Sequence, residues 1–314
     1  MNFSKKLFKN ERTKGFVFAF IATLALANVY IFSKAALNVV HLFQFGFYWF
    51  GFALILNLLF IRITKKKIKL SEINQKAWFA ISVNAFFEVL GTVLFFSAIQ
   101  ITENPAIVSF IVNLGPVFTL FLGFFFLKER FNHIEYAGIF LTLVGVLIIN
   151  YMPGASFLDV FSKGTLMVMF STFFFAIAAI IVKKNVLRIE PIILTTSRTI
   201  LLLFISLSFM LKANLSFSVP PVILLYIVGG AFMGPFLALL SSYYSLKYIE
   251  VSISNIIIST KSVLVVIGAW IFFSVVMSGN QFLGGALTMI GIIVISLSKR
   301  IKKAFADKKI SIKS

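Results

Sequence analysis

Two ionisable side chains lie deep inside apolar stretches of the sequence. Glu88 comes about eleven residues after the start of one apolar run, and Lys261 comes about ten residues after the start of another. At 1.5 Å per helical residue, each would lie roughly 15–17 Å from a membrane surface, near the middle of a ~30 Å hydrocarbon core. A charge at that depth costs at least ~2.5–3.5 kcal/mol on insertion, so it needs a partner, water or a function.

The equal depth of these two groups allows several chemistries. Glu88 and Lys261 could line one cavity and hold a zwitterionic or anionic substrate, or Glu88 could take up and release a coupling proton. The alternative is a mutually neutralising pair that only fixes helix packing. Arg198 and Lys34 lie nearer to the ends of their apolar runs, and both are expected to reach towards the membrane surface.

Helix-breaking residues interrupt two of the apolar runs. Breaks in membrane helices free backbone groups that can bind a ligand, although a plain proline kink is the alternative. For aromatic candidates the alternative to a cavity wall is a position at the membrane interface. The breaks are Gly115 with Pro116 and Gly234 with Pro235, and the further candidates for substrate binding are Asn28, Trp49, Asn113, Tyr243 and Tyr244.

Several classes of protein are excluded by the motifs and the composition. The sequence contains no Walker-type phosphate loop, no HExxH and no nucleophile triad, so we predict neither an ATP-driven pump nor an enzyme. Cysteine is absent, and His41 and His133 flank the apolar runs without forming a ligand set. No metal or cofactor is therefore predicted. The net charge of +19 lies in short segments beside apolar runs, which indicates contact with membrane lipid rather than with nucleic acid.

The composition predicts an all-α membrane protein. Hydrophobic residues make up 60% of the 314 residues, and the mean hydropathy is +1.02. A requirement of about 20 apolar residues per helix gives ten transmembrane helices. Their approximate ranges are 15–37, 44–63, 77–99, 105–127, 131–151, 161–183, 191–211, 221–246, 251–276 and 279–298.

The basic residues predict the orientation. With ten spans, 24 of the 29 Lys and Arg residues fall on the side that carries both termini, and 2 fall on the other side. Since short cytoplasmic segments are enriched in Lys and Arg, both termini are expected in the cytoplasm. The predicted location is the cytoplasmic membrane, which is the inner membrane where there are two.

The sequence also repeats itself. Each half contains five spans, and an odd number gives the halves opposite orientations in the membrane. The predicted units are residues 1–152 and 153–314, with a site near the midplane between them. Matching positions at offsets of 146 to 149 are Lys34 with Lys183, Trp49 with Arg198, Phe95 with Tyr243, Asn113 with Lys261, and Gly138 and Gly145 with Gly284 and Gly291.

One pattern resembles a known family. A span with Pro116 near its middle, Glu129 thirteen residues later, and a short span with Gly138 and Gly145 is similar to the EamA-type repeat of the drug/metabolite transporter superfamily. The resemblance implies a ten-helix bundle of two inverted five-helix repeats, with a central cavity and alternating access. It also implies transport of metabolites such as amino acids, often outward.

We therefore predict a secondary transporter that exports a small metabolite, an amino acid or a similar compound, across the cytoplasmic membrane. Its predicted partners are a small-molecule substrate and membrane lipid. The sequence leaves coupling open between protons and passive exchange, and it leaves the oligomeric state open. A membrane-embedded enzyme of lipid chemistry and a structural membrane subunit are the alternatives, but neither explains an inverted repeat with breaks at the midplane.

Overall fold

The computed structural model describes residues 11–64, 74–127, 132–151, 161–185 and 189–311. All regular structure in these residues is helical, and ten helices are long and apolar enough to cross a membrane. This confirms the predicted all-α fold with ten spans. The predicted boundary at residues 152 and 153 lies outside the described residues, and so does Glu129.

Seven of the ten spanning helices are continuous. They are α1 (Glu11–Leu37), α2 (Leu42–Ile63), α3 (Gln75–Ile101), α5 (His133–Asn150), α6 (Lys163–Asn185), α7 (Pro191–Lys212) and α10 (Gly279–Ser311).

The other three spanning helices are interrupted. α4 runs as Pro105–Ile111, a 3-10 turn at Val112–Leu114, and Gly115–Leu127. α8 runs as Pro221–Ala231, a π turn at Phe232–Ala238, and Leu239–Tyr248. α9 runs as Val251–Ser259 and Lys261–Phe273, with Thr260 between the two segments.

Local sequence signals explain where several helices begin. The side chains of Asn74 and Asn104 accept backbone hydrogen bonds at the starts of α3 and α4. Asn132 and Glu135 form a reciprocal capping box at the start of α5. Such caps satisfy N–H groups that have no partner within the helix. They therefore fix the points at which the chain re-enters the bundle.

Because ten is even, α1 begins and α10 ends at the same membrane face, called here the terminal face. The two halves show the same lysine contact at opposite faces. Lys34 on α1 donates to the carbonyls of Ile99 and Gln100 at the end of α3, at 3.2 and 3.3 Å. Its counterpart Lys183 on α6 donates to two carbonyls at the end of α8, at 2.7 and 3.2 Å.

Lys34 is expected to reach towards the membrane surface, and in the structure this residue of the last turn of α1 is held at the end of α3. Its side chain is buried, because the last carbonyls of α3 have no helical N–H partner and attract a cation.

Glycines let α5 and α10 touch through their backbones. A Cβ placed on Gly145 would lie 2.6 Å from the carbonyl oxygen of Gly284, and one placed on Gly138 would lie 2.9 Å from the carbonyl oxygen of Gly291. Small residues permit such close approach between membrane helices. The repeat-matched glycines therefore pack one half of the chain against the other.

Candidate functional site

A cavity of about 260 Å³ lies where α1 to α4 meet α6 to α9. Both halves of the chain supply its wall. The predicted residues Glu88, Trp49 and Lys261 line it, together with Gly234 and Pro235 at the π turn of α8. Most of the remaining wall is apolar. Such a small, mostly apolar cavity with a few convergent polar groups is the usual form of a small-molecule site.

Glu88 is held by two partners in this cavity. Nε of Arg198 lies 2.9 Å from one carboxylate oxygen, and the hydroxyl of Tyr243 donates to the other at 3.0 Å. The Nε hydrogen does not point along a hydrogen bond, so the contact with Arg198 is ionic rather than directional. Arg198 also donates from Nη2 to Thr92 Oγ1 at 2.6 Å.

The structure thus corrects two expectations. Arg198 does not reach the membrane surface, since its side chain is only 9% exposed. Glu88 is neutralised by Arg198, and among the described contacts it forms no pair with Lys261.

Lys261 lies at the break of α9, where it meets the break of α4. Its Nζ donates to Asn113 Oδ1 at 3.3 Å, and Asn113 Nδ2 donates to Ser262 Oγ at 3.1 Å. Ser262 Oγ in turn donates to the Ser109 carbonyl at 3.0 Å. The repeat-matched residues Asn113 and Lys261 are therefore in direct contact, both of them buried.

The break in α9 was not predicted because it contains neither glycine nor proline. Ser259 Oγ donates to the Ile256 carbonyl at 2.8 Å, and Thr260 Oγ1 donates to the Ile257 carbonyl at 2.6 Å. Such side chains compete with the regular backbone hydrogen bonds of a helix. The Ser-Thr pair before Lys261 was the available sequence signal.

A second cavity, of about 180 Å³, shares Lys261 with the first. The predicted residues Asn113, Gly115 and Pro116 line it. Thr119 on α4 and Asn255 on α9 extend its polar wall, and both lie between Lys261 and the terminal face. A polar recess therefore leads from Lys261 towards that face.

A third cavity, of about 590 Å³, lies towards the opposite face. It follows α4 through Ile107, Val108 and Ile111, and Glu103 and Lys163 line its outer part. Val112, the next residue of α4, lines the first and second cavities. The three cavities thus lie in series along one broken helix.

Apolar layers lie on both sides of the ion pair. On the terminal side, Ile81, Leu194 and Leu246 pack together with Tyr243. On the opposite side, Trp49 packs against Phe45 and Phe96, with ring centroids 4.7 and 5.5 Å away. The ion pair therefore lies between two apolar layers, where each buried charge depends on its partner for compensation.

Comparison with known proteins supports a transporter of one family. The model of the EamA-like transporter family matches residues 13–151 and again residues 162–297, once in each half of the chain. The chain belongs to the EamA-like transporter family. An uncharacterized transporter of Synechocystis sp. is 26% identical over 239 residues, which is 72% of this chain and 67% of the relative. An uncharacterized transporter of Archaeoglobus fulgidus is 34% identical over 100 residues, 32% of this chain and 35% of the relative.

A solved crystal structure has the same fold. It aligns with 92% of this EamA-like chain and 98% of its own chain, with a TM-score of 0.66 and 17% identity. At that identity the similarity concerns the fold alone. The predicted family and its ten-helix, two-repeat fold are thus confirmed, and the substrate has to be argued from the cavity.

Three of the predicted candidates line neither the first nor the second cavity of this EamA-like protein. Tyr243 is buried beside it and acts through its hydrogen bond to Glu88. Tyr244 stacks on Phe18 with ring centroids 5.2 Å apart. Asn28 donates to the Leu24 carbonyl of its own helix at 2.9 Å.

Arg198 is the residue that sequence reasoning placed wrongly. It lies on α7 in a buried polar stripe with Thr195, Thr199 and Ser206. Polar residues at helical spacing in an apolar span indicate a face that points into the bundle. That stripe was the signal for a buried Arg198.

Proposed function

We propose that this EamA-like protein is a secondary transporter that exports a small metabolite through the cavity between its two halves. The observation that supports this function best is the series of three cavities along α4. The middle cavity is lined by Glu88, Arg198 and Lys261, and the other two lie on either side of it along α4, towards opposite faces. A substrate site near the midplane with a separate route to each side is what alternating access requires.

The proposed mechanism uses two of the three interrupted helices, α4 and α9. α4 and α9 occupy matching places in the two halves and touch at their breaks through Asn113, Lys261 and Ser262. The ladder of backbone hydrogen bonds is already interrupted at each break. The helix can therefore bend there without losing further hydrogen bonds. Bending at one break would widen the route to one face, and bending at the other break would widen the route to the other face. The Asn113–Lys261 contact would stay near the axis of both movements.

The charge distribution supports an orientation with the terminal face in the cytoplasm. Lys and Arg are enriched 24 to 2 on the side of the termini, as the positive-inside rule requires. In the proposed export direction, the recess that leads from Lys261 towards the terminal face would load substrate from the cytoplasm. The cytoplasmic membrane is the proposed location.

The substrate is proposed to be a small metabolite of amino-acid size, because the cavity of about 260 Å³ is at the lower end for ligand sites. Lys261 is proposed to bind its charged group, and Trp49 to contact its apolar part. Proton coupling through Glu88 would require the contact with Arg198 to open and close in every cycle. Uptake measured with and without a pH gradient separates such coupling from exchange.

Counterflow in proteoliposomes tests the function. Vesicles containing the full chain are loaded with unlabelled pools of amino acids, organic acids, nucleosides or sugars, and uptake of a labelled member is followed. We expect uptake with one pool, and loss of that uptake in Lys261→Met. Lys212→Met, at the exposed end of α7, is the matched control. No counterflow from any pool by folded protein would contradict the proposal.

A further inference from the structure

The charges of the first cavity do not balance. Glu88 is the acidic side chain in the described lining, and Arg198 and Lys261 are the basic ones. The carboxylate of Glu88 already contacts Arg198 through one oxygen and Tyr243 through the other. One positive charge, on Lys261, is therefore left without an ionic partner among the described residues.

The surroundings of Lys261 make that charge available to a ligand. An ammonium group has three donors, and among the described residues Lys261 uses one of them, on a neutral amide oxygen at the long distance of 3.3 Å. The residue is only 4% exposed, and by residue count it lies near the middle of its spanning helix, where an uncompensated charge is costly. An anion bound at Nζ would remove that cost and would use the free donors.

The rest of the wall specifies what accompanies the anionic group. Trp49, Phe95, Phe96 and Phe175 contribute aromatic surface, and Leu26 and Val29 contribute aliphatic surface. An apolar group buried there gains about 25 cal/mol for each Å² removed from water. The ammonium group of an amino acid, in contrast, would need an acceptor. Glu88 is the carboxylate in the described lining, and its charge is already balanced by Arg198.

We infer that the substrate is a small monoanion with an apolar body, such as a carboxylate without an amino group, and that Lys261 selects it. This inference rests on the proposed function. It narrows the substrate from small metabolites of amino-acid size to organic anions of that size. The Glu88–Arg198 pair forms the wall of the site and does not bind the charged group of the ligand.

Four probes, each with a phenyl group on a chain of two or three carbons, test the inference. They are 3-phenylpropionate (anion), phenylalanine (zwitterion), phenethylamine (cation) and 3-phenylpropanol (neutral). Binding to the purified full chain is measured by the concentration dependence of thermal stabilisation. We expect 3-phenylpropionate to bind at least about tenfold more tightly than phenylalanine, and phenethylamine to bind most weakly.

Variants locate the selectivity. Lys261→Met is expected to reduce 3-phenylpropionate binding to the level of 3-phenylpropanol, whereas Lys261→Arg keeps the order of the probes. Lys212→Met, with an exposed side chain on α7, should leave binding unchanged. Each variant is compared with the native chain by gel filtration. If Lys261→Met does not fold, the order of the four probes on the native chain and on Lys261→Arg still decides.

The outcomes distinguish this inference from the proposed function. Tighter binding of phenylalanine, equal binding of all four probes, or no binding of any by folded protein would overturn the anion assignment. Counterflow of amino acids together with tighter binding of phenylalanine would keep the transporter and reject the anion. Anion binding without counterflow would keep the anion site and reject the transporter.

Discussion

The Glu88–Arg198 pair allows a quantitative prediction, because both side chains are buried in the middle of the bundle. They are 7% and 9% exposed, with 2.9 Å between Nε and the carboxylate oxygen. Removing one partner of a buried pair typically costs about 3–5 kcal/mol, because the other charge stays buried without compensation. Removing both partners together leaves no such charge.

We therefore expect Glu88→Gln and Arg198→Met each to lower the free energy of unfolding by about 3–5 kcal/mol. The double variant Glu88→Gln/Arg198→Met should lose clearly less than the sum, and it should be more stable than at least one single variant. Glutamine keeps an acceptor for the Tyr243 hydroxyl, so the Glu88→Gln change isolates the charge.

The assay is a double-mutant cycle on purified protein, with unfolding followed by tryptophan fluorescence in a denaturing detergent series. Lys247 with Glu190 is the control pair, because Lys247 Nζ lies 3.9 Å from the Glu190 carboxylate and the two side chains are 29% and 43% exposed, respectively. Such exposed pairs contribute at most about 1 kcal/mol, so Lys247→Met should have a small effect. Additive losses at Glu88 and Arg198 would refute the assignment of the pair as a neutralising unit. Lys261 remains in the double variant, so this variant should still bind 3-phenylpropionate more tightly than phenylalanine.

Three other perturbations follow from close packing and capping. Gly145→Val should prevent α5 from closing on α10 and give aggregated protein in gel filtration, while Gly51→Ala, whose nearest neighbour atom would be 3.8 Å from the new Cβ, should be tolerated. Gly230→Ala should displace the Trp49 ring, which fills the space of the missing side chain, and shift its fluorescence. Lys34→Met should weaken the end of α3 by about 1 kcal/mol and speed amide exchange there, without changing the order of the four probes.

The spans and two of the three breaks could be predicted from the sequence for simple reasons. A helix that crosses lipid needs an unbroken apolar run, and proline removes a backbone donor wherever it occurs. The forms of the breaks were not predictable. The first is a 3-10 turn that ends immediately before Gly115, and the second is a π turn that includes Pro235. Which hydrogen bonds replace the lost ones depends on the neighbouring helices.

The partners of the charges could be predicted only in part. Depth along a helix follows from counting residues, and this places Glu88 and Lys261 at the same level. Rotation about the helix axis and the choice of neighbouring helix depend on tertiary packing. Arg198 lies nearer to the end of its span, but its long side chain points inward to Glu88. The sequence analysis expects the opposite direction, because an arginine side chain is long enough to reach either the membrane surface or the interior of the bundle.

The helices of the two halves are arranged symmetrically, but the charged residues of the site are not. Several contacts occur in matching form in both halves. They are the lysine contacts at the ends of α3 and α8 and the contacts of the glycines on α5 with those on α10. Asn113 and Lys261 match in position but differ in charge, and they touch each other. A lysine at both positions would place two cations side by side in a medium of low dielectric constant, which is strongly unfavourable. The contact therefore excludes a second lysine, and because Asn113 is neutral it leaves one positive charge for a ligand.

Asn113→Asp tests the site most directly. The substitution keeps the size of the side chain and places a carboxylate oxygen where Oδ1 now lies, 3.3 Å from Lys261 Nζ. The protein itself would then neutralise Lys261. We expect a folded protein that has lost the preference for 3-phenylpropionate over 3-phenylpropanol, measured by the same thermal stabilisation. Asn113→Gln, which stays neutral, is the control and should keep the preference. If Asn113→Asp still selected the anion, another group would have to supply the positive charge, and Arg198 would be that group.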